Sequence, residues 1–184
     1  MTRRTSFHGG SLIDVRDAVS PWIEIITRDV QFSEQSPVET YYAVAQPDYV
    51  VALAVTPTCA SCSCISIGRQ SERFSLELPA GLLDPNEDPF VAASRELMEE
   101  TGYPASTMEP IGKGATCSSR ISNTSYSFFI RTSERTPDFV EEPGVHVSSV
   151  SPGELCSLVL SGEFAEQAHL GVLALASARG LITL

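Results

Sequence analysis

The stretch of sequence that decides the fold spans residues 81–103 and reads GLLDPNEDPFVAASRELMEETGY. Its second part predicts a helix over residues 88–101, because Asp88 is a good N-cap, Pro89 suits the first helical position and Gly102 is well placed to end the helix. This helix contains three glutamates at positions i, i+3 and i+4: Glu96, Glu99 and Glu100. This spacing brings the three carboxylates to one face of the helix.

Carboxylates this close together repel one another, and each raises the pKa of its neighbours. A hard divalent cation offsets the repulsion, and Mg²⁺ held by carboxylates and substrate phosphates is a recurrent arrangement. The alternative is a solvated acidic helix face, which is the commoner explanation when the helix is taken alone.

The residues around the helix favour the metal site. Nine positions match, with correct spacing, the Nudix box G-x5-E-x7-R-E-U-x-E-E-x-G-U, in which U is a bulky apolar residue: Gly81, Glu87, Arg95, Glu96, Leu97, Glu99, Glu100, Gly102 and Tyr103. The sequence therefore resembles the Nudix hydrolase family. The resemblance implies an α/β fold, namely the Nudix α/β/α sandwich with a mixed sheet, and Mg²⁺ as cofactor, with Mn²⁺ as a possible substitute.

Segments outside the box resemble one branch of this family, the ADP-ribose and nucleoside-diphosphate-sugar pyrophosphatases. Residues 77–84, ELPAGLLD, resemble the branch's entry to the box, and residues 161–164 with the helix after them resemble its C-terminal end. Residues 22–24 and 39–42 resemble its N-terminal antiparallel β extension. The resemblance implies a homodimer and two parts: an extension over residues 1–45, expected to serve dimerisation and the substrate pocket, and a hydrolase domain over residues 46–184.

The resemblance also implies roles for residues in and near the box. Glu96 and Glu100 are expected to be the principal metal ligands, with Glu99 assisting and the carbonyl of Ala80 facing a metal. Gly81 permits a close approach of the loop because it lacks a side chain. An ion pair between Glu87 and Arg95 is expected to hold the loop to the helix without touching substrate.

The proton acceptor in this branch lies on a loop after the box, a region that holds Glu141 and Glu142 here. We expect one of them to be the general base, with Glu142 slightly favoured; two solvated loop acids are the alternative. Glu99 is a further catalytic candidate.

Substrate contacts are expected from aromatic and arginine side chains. The branch stacks the nucleoside base between aromatic rings, and Trp22 and Tyr41 match those places; the alternative is that both pack on a strand face. An arginine-bearing segment before residue 77 is shorter here than in the branch, which leaves Arg69 and Arg73 as candidates to bind phosphate. The loop over residues 115–123 lacks the branch's proline-glycine turn, so Arg120 becomes a candidate to meet phosphate or sugar.

The rest of the chain alternates strands and helices, which indicates a layered α/β or α+β domain. Residues 1–20 are interpreted as a polar, weakly structured lead-in. Strands are predicted at residues 22–30, 39–44, 49–55, 65–67, 74–78, 125–131 and 145–150. Further helices are predicted from a capping box at residues 151–154 to about residue 161, and from residue 165 to 179.

The composition excludes several classes of protein. The net charge is −11 and there is no basic run, so a nucleic-acid partner is not expected. No apolar run is long enough to span a membrane, and no signal peptide is recognised, which predicts a cytoplasmic protein. Cys59, Cys62 and Cys64 form a cluster without a second paired motif, so reduced thiols are favoured over a zinc site.

The pattern as a whole predicts Mg²⁺-dependent cleavage of the diphosphate of ADP-ribose or a related nucleoside-diphosphate sugar, giving a nucleoside monophosphate and a sugar phosphate. Two alternatives stay open. One is a Nudix hydrolase for another nucleotide, such as a dinucleotide, a coenzyme or a nucleoside triphosphate. The other is a non-catalytic Nudix module that senses a nucleotide.

Overall fold

The chain forms two compact units. The structure, a computed structural model, describes residues 2–7, 10–57, 63–67, 75–143 and 145–183. One unit contains residues 1–47 together with 115–124, and the other contains residues 48–114 together with 125–184. The segment 115–124 therefore belongs with the N-terminal part of the chain, which the sequence did not predict.

The first unit is a five-stranded sheet in the order β1-β2-β3-β4-β10. Its strands are β1 (Thr2–Phe7), β2 (Gly10–Ser20), β3 (Ile23–Gln31), β4 (Val38–Ala45) and β10 (Ile121–Ser122). The four N-terminal strands pair antiparallel in sequence order, and β10 joins β4 in parallel.

The prediction of a weakly structured lead-in over residues 1–20 is wrong, because this segment forms β1 and the whole of β2. Two of the charges that make the segment look polar, Asp14 and Arg16, are paired with residues of β3. Arg28 on β3 donates to both carboxylate oxygens of the buried Asp14 on β2, at 2.8 and 3.0 Å. Such a pair compensates a charge that, alone, would disfavour burial.

The second unit is built on a mixed sheet in the order β8-β5-β11-β9, as the family resemblance implied. Its strands are β5 (Tyr49–Val55), β8 (Ala80–Leu82), β9 (Ala105–Gly114) and β11 (Ser125–Thr132). A smaller sheet contains β6 (Ser63–Ile67), β7 (Leu76–Glu77) and β12 (Ser148–Val150). The short β8 and the long β9 were not predicted.

The three predicted helices are present: α1 (Pro89–Thr101), α2 (Pro152–Ser161) and α3 (Gln167–Ala178). Asp88 caps α1 by accepting from the Phe90 amide at 2.8 Å. Gly102 ends it with a φ of 72°, in the left-handed region that glycine adopts without strain. Ser151 and Glu154 form the expected capping box of α2.

Strand β5 is buried on both faces, which makes the second unit a three-layer structure. Val50, Ala52 and Ala54 pack with α1, in a cluster with Ala93 and Leu97. The alternate residues of β5 pack instead with residues of α2 and α3: Val51, Leu53 and Val55. Because successive strand residues point to opposite faces, helices cover both sides of the sheet. The α/β/α layering is therefore confirmed. No helix in the described part of the chain is long and apolar enough to cross a membrane.

Candidate active site

Helix α1 presents two half-buried glutamates, Glu96 and Glu100, to the backbone of β8. The amide N–H of Ala80 donates to Glu100 Oε2 at 3.1 Å. A Cβ placed on Gly81 would lie 2.1 Å from Glu96 Oε1, well inside any contact that real side chains make. Only glycine therefore allows β8 to approach the carboxylate this closely.

Arg95 donates hydrogen bonds to three glutamates and to the backbone of the loop before the helix. Its Nε and Nη2 donate to the two oxygens of Glu87, both at 2.8 Å. Its Nη1 donates to Glu96 at 2.8 Å and to Glu99 at 3.1 Å, and Nη2 also donates to the Leu82 carbonyl at 3.3 Å. The ion pair expected between Glu87 and Arg95 is thus present, and the hydrogen bond to Arg95 lowers the pKa of Glu87 to about 2.

Glu100 has the most perturbed carboxyl of the site. Burial, and then the negative charges of Glu96, Glu77 and Glu142, raise its pKa to about 8, against the opposing hydrogen bond from Ala80. Burial also raises the pKa of Glu96, although Arg95 acts in the opposite direction. Burial therefore disfavours the charged form of both carboxylates, which is a cost that a bound divalent cation would offset.

The donor set fits a hard cation in its chemistry. Oxygen ligands from Glu96, Glu99 and Glu100 are those that Mg²⁺ prefers, and Gly81 leaves the space that a side chain would fill. Within the described ranges, no three acidic, histidine or cysteine side chains converge into a preformed metal cluster. Glu96 and Glu99 instead share Arg95, so they would have to turn from it to meet a cation.

Two residues near this cluster were missed from the sequence. Glu77 contributes to the raised pKa of Glu100, and its carboxylate accepts from the Ser75 hydroxyl. The pKa of the half-buried Tyr49 is raised by burial and by the charges of four glutamates: Glu77, Glu100, Glu166 and Glu96. Glu77 is the first residue of the Glu-Leu-Pro-Ala-Gly segment, and this position could have indicated that it lies near the site. Tyr49 lies in an apolar strand, and nothing in the sequence indicated its position.

The two candidate bases have different surroundings. Glu141 is held by Arg135 at 3.0 Å and by His146 Nδ1 at 3.1 Å, and the hydrogen bond to Arg135 lowers its pKa. Glu142 is exposed, and its charge is one of those that raise the pKa of Glu100. Glu142 therefore acts electrostatically on the glutamate cluster, and Glu141 forms an ion pair with Arg135.

The loop that carries both residues is docked on the end of α1. Arg135 Nε donates to the Thr101 carbonyl at 2.9 Å, and the Thr136 amide donates to the Gly102 carbonyl at 2.8 Å. The ring of Phe139 lies so close to Gly102 that a Cβ there would be 2.3 Å from it. These contacts attach the start of the loop to the C-terminal end of α1.

The expected substrate contacts lie elsewhere in the chain. Trp22 is exposed in the turn between β2 and β3, and Tyr41 is an exposed residue of β4 whose hydroxyl donates to Glu39 at 2.6 Å. Arg120 has an exposed side chain, and its carbonyl accepts from the Val44 amide at 2.7 Å. All of these belong to the first unit. Other candidates lie outside the described residues: Arg69, Arg73, Cys59 and Cys62. Cys64 lies in β6.

Fold and site together define a three-layer α/β domain in which a carboxylate-bearing helix faces a glycine-containing strand. The family model of the NUDIX domain matches residues 52–168, which is more than half of the chain. The chain belongs to the Nudix family, as the sequence predicted, and this identifies it as a member of the Nudix hydrolases.

Known proteins agree with the branch of the family that the sequence indicated. The chain is 40% identical over 68 residues to an ADP-ribose pyrophosphatase of Bacillus subtilis (strain 168), covering 37% of each chain. It is 39% identical over 66 residues to a methanol dehydrogenase activator of Bacillus methanolicus, covering 36% of each. The match thus spans little more than a third of the length of these curated relatives.

A solved structure extends the likeness over nearly the whole chain. A crystal structure described as an ADP compounds hydrolase aligns with a TM-score of 0.74 and covers 98% of this chain and 97% of its own, at 17% identity. At that identity the likeness shows the fold, and it confirms the Nudix α/β architecture. With the curated relatives, the resemblance to the ADP-ribose pyrophosphatase branch is confirmed.

Proposed function

We propose that this protein is a Mg²⁺-dependent hydrolase that cleaves the diphosphate of ADP-ribose or of a related nucleoside-diphosphate sugar. The products would be a nucleoside monophosphate and a sugar phosphate. The observation that carries the proposal is the pair of half-buried glutamates, Glu96 and Glu100, facing the backbone of Ala80 and Gly81. The likeness to the ADP-ribose pyrophosphatase of Bacillus subtilis supports the substrate class.

In this proposal Glu96 and Glu100 hold the metal, with Glu99 and the Ala80 carbonyl assisting. When bound, Mg²⁺ would supply positive charge against the phosphoryl oxygens and acidify the attacking water. Arg95 keeps Glu87 and the loop in place while Glu96 and Glu99 turn from its Nη1. Gly81 keeps the backbone close to the carboxylates.

Glu142 is the better candidate for the general base. Glu141 is ion-paired to Arg135 and has a lowered pKa, which makes it a weaker proton acceptor. Glu142→Gln should lower kcat by about a hundredfold to ten-thousandfold and leave the Mg²⁺ concentration for half-activity nearly unchanged. Glu141→Gln is the matched control, with a smaller expected loss. If the double variant keeps wild-type kcat, the base lies elsewhere.

The substrate is tested by a panel of compounds with Mg²⁺, with Mn²⁺ and in EDTA. ADP-ribose and nucleoside-diphosphate sugars should be hydrolysed faster than dinucleotides, coenzymes or nucleoside triphosphates. A faster reaction with one of the last three would support the alternative that this is another Nudix activity. Nucleotide binding without turnover of any compound would indicate a sensing module.

We also propose that the first unit forms the interface of a homodimer. Val15, Val38 and Tyr42 lie on one face of its sheet, by the pairing Val15–Thr27–Tyr42, and their exposed fractions are 38, 58 and 67%. Exposed apolar residues on one face of a sheet are found at contact surfaces. Light scattering should give the mass of two chains, and Val38→Lys should give one; a monomeric wild-type protein would contradict the proposal.

A further inference from the structure

A histidine that no motif drew attention to lies in the core of the second unit. His169 is on α3 and is 1% exposed. It shares the buried face of that helix with Val172, Leu173 and Ala176, and the ring of Phe164 lies 6.5 Å away, centroid to centroid. A polar ring in such apolar surroundings costs free energy unless it makes a hydrogen bond.

That hydrogen bond is to the segment leading into the active site. The amide N–H of Leu78 donates to His169 Nδ1 at 3.0 Å, across 91 residues of sequence. Nδ1 is therefore unprotonated and the ring proton is on Nε2. Burial lowers the pKa of His169 to about 4, which keeps the ring neutral and able to accept at neutral pH.

Leu78 needs such a partner because of its place in the chain. Leu78 and Pro79 are buried between β7 and β8, and neither belongs to a strand. A buried amide N–H must be paired, and Pro79 has none to donate. His169 supplies to Leu78 what a neighbouring strand would otherwise supply.

The residues that follow make the contacts of the active site. The Pro79 carbonyl accepts from the Ala52 amide at 2.8 Å, and the Ala80 amide donates to Glu100 at 3.1 Å. Three consecutive residues are thus fixed by three different elements: Leu78 by α3, Pro79 by β5 and Ala80 by α1. Without the first bond, Leu78 loses its contact with α3, and only the bonds to β5 and α1 remain.

We propose that His169 is a positioning residue of the active site: by accepting from the Leu78 amide, it fixes the turn that sets the Ala80 backbone against the glutamates of α1. The inference rests on the proposed function, because it assumes that this backbone faces the metal. It assigns to α3, which lies on the opposite side of the sheet from α1, a part in metal affinity.

Three variants separate positioning from packing. His169→Leu removes the acceptor and leaves the Leu78 N–H without its partner. His169→Asn keeps an acceptor, because its Oδ1 is as many bonds from Cα as the imidazole Nδ1. Phe164→Leu is the matched packing control, since it creates a defect beside the same ring and leaves the hydrogen bond in place.

The first measurement is the affinity for Mn²⁺ without substrate, determined by electron paramagnetic resonance. It is made at a temperature at which circular dichroism shows that each variant is folded. His169→Leu should bind Mn²⁺ about tenfold to hundredfold more weakly, the usual loss when the support of a metal ligand is removed. His169→Asn should restore most of the affinity. Phe164→Leu should lower the melting temperature and leave Mn²⁺ affinity as in the wild type.

Turnover gives the second measurement. His169→Leu should raise the Mg²⁺ concentration for half-activity and lower kcat, with KM for the nucleotide nearly unchanged. The inference is overturned if His169→Leu binds Mn²⁺ as the wild type does, or if Phe164→Leu weakens binding equally. Should His169→Leu not fold, His169→Gln carries the test, because its acceptor is one bond too far from Cα and should restore affinity less than asparagine. A wild type that binds Mn²⁺ but hydrolyses nothing contradicts the proposed function alone.

Discussion

Replacing Glu100 by glutamine should make the metal-free protein more stable and at the same time inactivate it. Burial and neighbouring negative charge raise the pKa of Glu100 from 4.5 to about 8. Glutamine does not ionise, and its amide oxygen can still accept the hydrogen bond that Ala80 donates to Glu100 at 3.1 Å. The variant therefore removes the unfavourable charge and keeps the contact.

The size and the pH dependence follow from the two pKa values. A carboxyl whose pKa is higher in the folded state contributes stability that is fully present below 4.5 and is lost as the pH rises to about 8. At pH 7 the loss for Glu100 is about 3 kcal/mol. The free energy of unfolding of Glu100→Gln should therefore be higher than that of the wild type by about this amount at pH 7. At pH 4.5 the two should be almost equal.

Denaturant unfolding in EDTA at the two pH values measures how much more stable Glu100→Gln is than the wild type. The same titration with Mg²⁺ measures how far the bound metal removes this difference. Mg²⁺ should stabilise the wild type and leave Glu100→Gln unchanged, and kcat of the variant should fall about a hundredfold or more. Glu99→Gln is the control for stability, because the Glu99 side chain is 54% exposed and its carboxylate is paired with Arg95, so that removing its charge should gain no stability. The reasoning is refuted if Glu100→Gln gains no stability at pH 7 in EDTA, or if it keeps full activity.

Three further predictions concern the backbone and the buried histidine. Gly81→Ala would place a Cβ 2.1 Å from Glu96 Oε1, so the Mg²⁺ concentration for half-activity should rise about tenfold to hundredfold; an unchanged requirement would contradict the close approach. Gly102→Ala should cost about 1–3 kcal/mol by calorimetry, because φ is 72° and the Cβ would lie 2.3 Å from Phe139; a smaller loss would mean that the ring moves freely. Burial lowers the pKa of His169 from 6.5 to about 4, so its contribution to stability is lost as the pH falls through that range. Relative to His169→Asn, the wild type should lose about 2 kcal/mol between pH 7 and pH 5, and parallel pH profiles of the two would falsify the assignment.

Local signals were enough to predict the helices. Asp88 and Gly102 at the ends of α1, and Ser151 with Glu154 at the start of α2, act through hydrogen bonds to residues two to four positions away. Such signals depend on neighbouring residues in the chain, so the sequence contains the whole of the interaction.

Elements that depend on distant partners were missed or misjudged. The segment containing Asp14 was interpreted as a polar lead-in because its partner, Arg28, comes from the next strand. Residues 115–123 were interpreted as a loop, whereas they contain strand β10, which pairs with β4. In each case a charge or a backbone group is satisfied by pairing that the sequence alone does not display.

The active site shows the same division between local and distant interactions. The box indicated Glu96 and Glu100 as candidate ligands, and their position on one face of one helix is a local property. It could not predict that Glu141 would be ion-paired to Arg135, because that depends on how the loop docks.

This docking links the box to the proposed base. Arg135 donates to the carbonyl of Thr101, the last residue of α1, and its guanidinium carbon lies 5.8 and 5.1 Å from the ring centroids of Tyr103 and Phe139. Tyr103 is the last position of the box, and Phe139 packs on Gly102. The loop therefore docks on the C-terminal end of the box. The carboxylates lie on the helix in the middle of the box. Helix α1 therefore carries the candidate metal ligands and also contacts the loop that leads to the candidate base Glu142.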